Sequence, residues 1–158
     1  MTLKAGDTAP DFTLPDQTGT PRTLSSYLAT GPVVLFFYPA ANTTGCTAEA
    51  CHFRDLASEF DAAGAQRLGI SVDDVDKQQD FSSKHGFDYP LLADVGGAVA
   101  TSYDVKRGGL MGRLAPVKRA TFVIGTDGLI AQVITSETKM DAHADEALKA
   151  LASRPSAG

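Results

Sequence analysis

Val33-Val34-Leu35-Phe36-Phe37-Tyr38, set between Gly31-Pro32 and Pro39, is a continuous run of β-branched and aromatic residues. A strand with one wet face alternates apolar and polar positions, and this run offers no such alternation. It suits a strand covered on both sides, as in a parallel sheet flanked by helices. Downstream, Phe53, Leu56, Ala57, Phe60 and Ala63 fall on one helical stripe that Gly64 ends. A strand over 67–72 follows, then a polar helix over 74–85, an extended piece at Tyr89-Pro90-Leu91-Leu92 and a helix over 98–103. Upstream, Pro10, Pro15, Asp16, Gly19 and Pro21 punctuate a short strand around Phe12-Thr13-Leu14 and then a turn. The runs 121–124 and 129–134 flank Gly125-Thr126-Asp127-Gly128, a hairpin signal, and a last helix spans 142–151. This order predicts an α/β sandwich with parallel central strands, to which the hairpin adds antiparallel ones.

The counts narrow the function. The chain has 158 residues, the length of one ordinary domain, expected over 1–152 with a frayed tail at 153–158. Hydrophobic residues make up 43 % and charged residues 21 %, a globular rather than disordered composition. Fourteen Lys and Arg against nineteen Asp and Glu give a net charge of −5, which argues against a nucleic-acid partner. The first residues hold no signal-type apolar core, and the longest apolar block, 33–41, is about half of what crosses a bilayer. The expectation is a cytoplasmic protein with no membrane partner. Two cysteines are too few for a disulfide scaffold, so chemistry is the better reason for them.

Cys46 follows the strand run after the loop Pro39-Ala40-Ala41-Asn42-Thr43-Thr44-Gly45, which places it in the first turn of the next helix. A helix N-terminus points unpaired N–H groups and the positive end of its dipole at that position. Those donors favour a thiolate and make the sulfur nucleophilic. The bland alternative is a small buried hydrophobe. Cys51 lies five residues on. Across ideal helix the two Cα atoms would be about 8.7 Å apart, beyond the ~7 Å limit for a disulfide. If they bond, the first turns of that helix must unwind.

Pro39-x-x-x-Thr43-x-x-Cys46 on a strand-to-helix loop resembles the active-site signature of the peroxiredoxins. The longer string, Phe37-Tyr38-Pro39 through Gly45-Cys46-Thr47-Ala48-Glu49-Ala50-Cys51-His52-Phe53-Arg54-Asp55, is similar to the Q-type branch, also called bacterioferritin comigratory proteins. Gly6-Asp7 with Ala9-Pro10-Asp11-Phe12 and the strand Arg119-Ala120-Thr121-Phe122-Val123-Ile124 extend the likeness over about residues 3–151. The resemblance implies a thioredoxin-like three-layer α/β sandwich with a mixed central sheet flanked by helices. It also implies a thiol-dependent peroxidase for hydrogen peroxide and organic hydroperoxides that needs no cofactor. Cys46 would be the peroxidatic cysteine, Thr43 would hold the thiolate and the substrate oxygen, and Arg119 would stabilise both the thiolate and the leaving oxygen. Pro39 would shape and shield the loop, Glu49 would orient Arg119, and Cys51 would resolve the sulfenic acid as an intramolecular disulfide. Thioredoxin or a similar dithiol would then reduce that disulfide. A resolving cysteine on the same chain makes a monomer sufficient, with a weak dimer as the other expectation. Thr44 departs from the proline that often stands there in this branch, which removes a stiff helix start. A thiol–disulfide oxidoreductase on the same fold is the alternative, although the chain has no Cys-x-x-Cys pair; a non-catalytic redox sensor or holdase is another.

The remaining signals have plainer readings. Lys106, Arg107, Arg113, Lys118 and Arg119 form a basic segment without an acid, and removing them leaves nine cations against nineteen acids, or −10. A solvated loop explains that segment more simply than a cationic rim, Arg119 excepted. Cys46-x-x-x-x-Cys51-His52 is too widely spaced for haem attachment, and His52, His85 and His143 show no zinc-ligand spacing. His52 is expected to be exposed or capping. Asp73, Asp74 and Asp76 are expected to complement the dipole of the helix they begin.

Overall fold

A computed structural model describes residues 3–108 and 116–153. Its centre is a five-stranded sheet in the order β5-β4-β3-β6-β7. The strands are β3 (Val33–Phe37), β4 (Gln66–Ser71), β5 (Leu91–Ala93), β6 (Ala120–Ile124) and β7 (Ile130–Thr135). β3, β4 and β5 run parallel, β6 is antiparallel to β3, and β7 is antiparallel to β6. A separate hairpin joins β1 (Thr13–Pro15) to β2 (Pro21–Thr23). The helices are α1 (Leu24–Leu28), α2 (Thr44–Asp55), α3 (Ala57–Ala62), α4 (Val75–His85), α5 (Ala98–Ser102) and α6 (Met140–Ser153).

The opening strand run is buried on both faces, with residues 33–38 all at 0 % exposure. Its two-residue period sends Val33, Leu35 and Phe37 into one core and Val34, Phe36 and Tyr38 into the other. Leu24 of α1 with Val99 and Ala100 of α5 covers the first face. Phe53, Phe60, Phe81 and Ala147, from α2, α3, α4 and α6, cover the second. The Phe53 ring stacks on Phe36 with centroids 4.1 Å apart and planes 6° from parallel, which fixes α2 on the sheet.

Three details differ from the expectation. The stripe from Phe53 to Ala63 is two helices, broken at Leu56 (φ −95°, ψ 21°). There the Arg67 guanidinium donates to the Phe53 carbonyl at 2.9 Å, so a side chain serves an acceptor that the helix ladder would otherwise use. The short strand expected around residues 12–14 is β1, but the punctuation after it also holds β2 and α1, which were not expected. Pairs such as Leu14 with Arg22 close that hairpin, and Asp16 organises its turn through Thr18, Thr20 and Arg22. His52, expected to be exposed or capping, is half-buried instead: its Nε2 lies 2.8 Å from Asp145 Oδ1 and ties α2 to α6. In the basic segment, Lys106 donates to the Gly96 carbonyl at 3.0 Å and Arg107 to Glu137 at 2.7 Å. Arg113 and its neighbours over 109–115, like the expected tail over 154–158, lie outside the described residues. Among the described residues no helix is long and apolar enough to cross a membrane.

Candidate active site

The site forms where β3 gives way to α2. Tyr38 N donates to the Ile70 carbonyl at 3.0 Å and carries the β3–β4 pairing one residue past the strand. The chain then turns through Pro39 to Thr43, with Asn42 in the left-handed region at φ 64°. Asp73 pins this loop: one carboxylate oxygen accepts from Ala41 N at 2.7 Å and from Ser71 Oγ at 2.7 Å. Of the three aspartates expected to serve the next helix, Asp74 is its N-cap, accepting from Lys77 N at 2.9 Å. Asp73 instead holds the loop that leads to Cys46.

Cys46 sits in the first turn of α2 at 1 % exposure. Arg119 lies just ahead of β6, and the register of Phe37 with Ala120 brings it beside the end of β3 and the start of α2. One guanidinium nitrogen donates to Cys46 Sγ at 3.4 Å and another to Glu49 Oε1 at 2.8 Å. Cys46 and Glu49 are three residues apart on one helix face, so both reach the same cation. Gly45 allows that approach, because a Cβ there would stand 3.2 Å from the guanidinium and 2.9 Å from the Met140 methyl. The Arg119 backbone is held too, its N–H donating to Glu137 Oε1 at 3.1 Å.

Burial sets the charges. Desolvation pushes the Glu49 carboxyl up to about 8, against the opposing pull of Arg119, and the Glu137 charge adds to the rise. Burial opposes the charge on Arg119, but Glu49 and Cys46 outweigh it and raise its pKa. Oε2 of Glu49 and Nε of Arg119 are buried without a hydrogen-bond partner among the described residues.

The structure therefore joins Cys46, Arg119 and Glu49 in one buried constellation. It does not join Thr43 to the sulfur. The Thr43 hydroxyl donates to the Ala40 carbonyl at 2.8 Å, a local side-chain-to-backbone bond within the loop. Pro39 is half-buried at the head of that loop. Cys51 is half-buried on α2 against the second core cluster, and both cysteines are free thiols. Because residues 44–55 are continuous helix, the two sulfurs stay on separate turns.

Two neighbours escaped the motif reading. Met140, at the start of α6, covers Gly45. His143 is fully buried, with Nδ1 2.8 Å from Thr121 Oγ1 and 3.4 Å from Glu49 Oε2. A signal for His143 did exist. It shares the buried stripe of α6 with Ala147 and Leu151, and a titratable ring on an apolar stripe demands a partner.

Comparison with known proteins shows the family. The family model described as AhpC/TSA matches residues 5–133. The crystal structure of peroxidoxin BcpB from Mycobacterium tuberculosis matches with a TM-score of 0.91 at 62 % identity, covering 97 % of this chain and 99 % of that one. Peroxiredoxin Q of Arabidopsis thaliana chloroplasts is 43 % identical over 149 residues, 94 % of this chain and 67 % of the relative. A structure of the Xanthomonas campestris bacterioferritin comigratory protein, described with its alkyl peroxide reduction activity, matches at 36 % identity and a TM-score of 0.80. That match covers 89 % of this chain and 90 % of that one. Family model, sequence identity and fold agree, and the chain belongs to the AhpC/TSA family as a peroxiredoxin of the Q type, a thiol-dependent peroxidase.

Proposed function

We propose that Cys46 is the peroxidatic cysteine of a two-cysteine cycle run within one chain. The observation that carries this reading is the buried Arg119 guanidinium 3.4 Å from the Cys46 sulfur. A fixed cation there stabilises a thiolate and the negative charge that moves onto the departing oxygen. The thiolate attacks the terminal oxygen of a hydroperoxide. An S–O bond forms, the O–O bond breaks, and its electron pair leaves as alkoxide or hydroxide, which takes a proton to become alcohol or water. Cys46 is left as a sulfenic acid. Thr43 keeps lone pairs on its hydroxyl oxygen, which serve the incoming O–H, while Pro39 shapes the loop and shields it from water. Glu49 orients Arg119. The Cys51 sulfur then attacks the sulfenic sulfur, forming an S–S bond and releasing the oxygen as water.

Thioredoxin or a similar dithiol closes the cycle, its own two thiols becoming a disulfide as Cys46 and Cys51 are restored. Hydrogen peroxide and organic hydroperoxides are both substrates in this reading. The alkyl peroxide activity described for the Xanthomonas relative and the Met140 side chain beside Gly45 support the organic ones. The cycle completes within a monomer, in a compartment such as the cytoplasm that keeps thiols reduced.

Resolution requires α2 to unwind, because its intact geometry keeps the two Cα atoms about 8.7 Å apart. The Phe36–Phe53 stack limits how far. Amide exchange over 45–52 is expected to rise on oxidation, while the amides after Phe53 keep their protection; identical exchange in the two redox states would rule out the coupling. The direct test of the function is Cys51→Ser. One equivalent of peroxide should leave a sulfenic acid on Cys46 that dimedone captures, and turnover with thioredoxin and its reductase should cease. Absence of the adduct, with peroxide still consumed, would refute the assignment.

A further inference from the structure

The peroxidase reading leaves one buried feature unused: Glu49 Oε2, which has no hydrogen-bond partner among the described residues and faces His143 Nδ1 at 3.4 Å. Glu49 and His143 are both fully buried, yet they come from α2 and α6. The tautomer of His143 follows from its other contact. Nε2 is 2.9 Å from the Ser136 carbonyl, which can only accept, so Nε2 carries the hydrogen. Nδ1 of the neutral ring is then an acceptor, approached by the Thr121 hydroxyl at 2.8 Å and by Glu49 Oε2. An ionised Oε2 would meet that nitrogen lone pair against lone pair, whereas a protonated Oε2 can share the lone pair with the shorter Thr121 contact.

We propose that His143 is a positioning residue for the peroxidase site: with Glu49 it holds one buried proton behind Arg119, so that the guanidinium charge is left to the Cys46 sulfur. The inference rests on the reading that Cys46 attacks peroxide. One cation here stands between two groups able to become anions, and it cannot fully serve both. A carboxylate on Glu49 draws on the charge that Arg119 otherwise lends to the sulfur and the leaving oxygen. Burial pushes Glu49 up to about 8 and pushes His143 down, so it favours the neutral form of both. The other groups bearing on this proton are Arg119, which opposes it at both residues, Glu137, which favours it at both, and Cys46 on the same helix. The Tyr89 phenol is occupied, donating to the Ala50 carbonyl at 2.7 Å.

The readout is the rate of Cys46 oxidation by hydrogen peroxide between about pH 6 and 9.5, measured by competition with a haem peroxidase. In the natural protein the rate should fall about tenfold through a limb with its midpoint near 8. Glu49→Gln should lose this limb, because the amide still accepts from Arg119 and donates to Nδ1 but has no proton to lose. His143→Ala removes the acceptor and admits water, both of which favour the carboxylate, so the midpoint should move down by about one unit. His143→Asn places a carbonyl oxygen near the Nδ1 position and should restore it. A merely structural role for His143 would lower stability without moving the midpoint. A limb that persists in Glu49→Gln, or an unmoved midpoint in His143→Ala, overturns the proposal. If His143→Ala does not fold, the Glu49→Gln profile decides alone. Failure of dimedone to label Cys46 in Cys51→Ser would instead defeat the underlying peroxidase reading, which separates the two outcomes.

Discussion

Cys46→Ser is expected to reduce peroxide consumption to the uncatalysed background in an assay coupled to thioredoxin and its reductase. The exchange replaces one sulfur by oxygen in a site at 1 % exposure, so the packing of α2 on the sheet is nearly conserved. What changes is the nucleophile. A serine hydroxyl stays protonated at neutral pH, and the side chain hydrogen-bonded at this position among the described residues is the Arg119 guanidinium, which cannot act as a general base. An unchanged circular-dichroism spectrum and unfolding midpoint within about 1 kcal/mol would attribute the loss to chemistry. The same variant separates the alternatives. Cys51 remains and could still exchange with disulfides, so activity toward disulfides without activity toward peroxide would point to a different enzyme. Peroxidase activity surviving in Cys46→Ser would overturn the assignment outright.

Replacing Arg119 should produce the next largest effect. Arg119→Leu is expected to slow oxidation of Cys46 by about 10²–10³-fold, the scale of removing a preorganised donor from a buried anionic site. The protein should still fold, because burial already favours the uncharged form of Glu49 and the loss of the cation strengthens that preference. Arg119→Lys should recover only part of the rate. The guanidinium spans Cys46 Sγ and Glu49 Oε1 with two different nitrogens, at 3.4 and 2.8 Å, and a single ammonium cannot reproduce that fork. Rapid-mixing measurements with hydrogen peroxide would check both variants. A rate for Arg119→Leu within threefold of the natural protein would remove the guanidinium from the mechanism.

The legibility of these features in the sequence tracks how local their causes are. The run at 33–38 could be read as a doubly covered strand because burial on both faces erases polar alternation from the chain itself. The break at Leu56 could not, because the apolar stripe continues through it and the Arg67 guanidinium involved comes from β4. β1 is marked by the prolines and turn residues around it, but β2 spans three residues and α1 five, too short for either period to declare itself. Asp73 and Asp74 are adjacent and chemically identical, yet one holds the Cys46 loop and the other caps α4. Only the path of the backbone separates them.

The sequence by itself determined the strand, the loop and the placement of Cys46 and Cys51 on one helix, since each depends on residues within a few turns of one another. Its motif also singled out Arg119 and Glu49, through likeness to a family. The tertiary structure decided what those residues touch. Arg119 is 73 residues from Cys46 and 70 from Glu49, and only the antiparallel register of β6 on β3 sets the guanidinium between them. Likewise, packing α6 against α2 puts His143 opposite Glu49 Oε2. Spacing along a chain encodes periodicity and helix ends, but a shared buried charge is a property of three-dimensional neighbours. The thiol was therefore visible in the sequence, and the electrostatic surroundings that govern it were visible only in the fold.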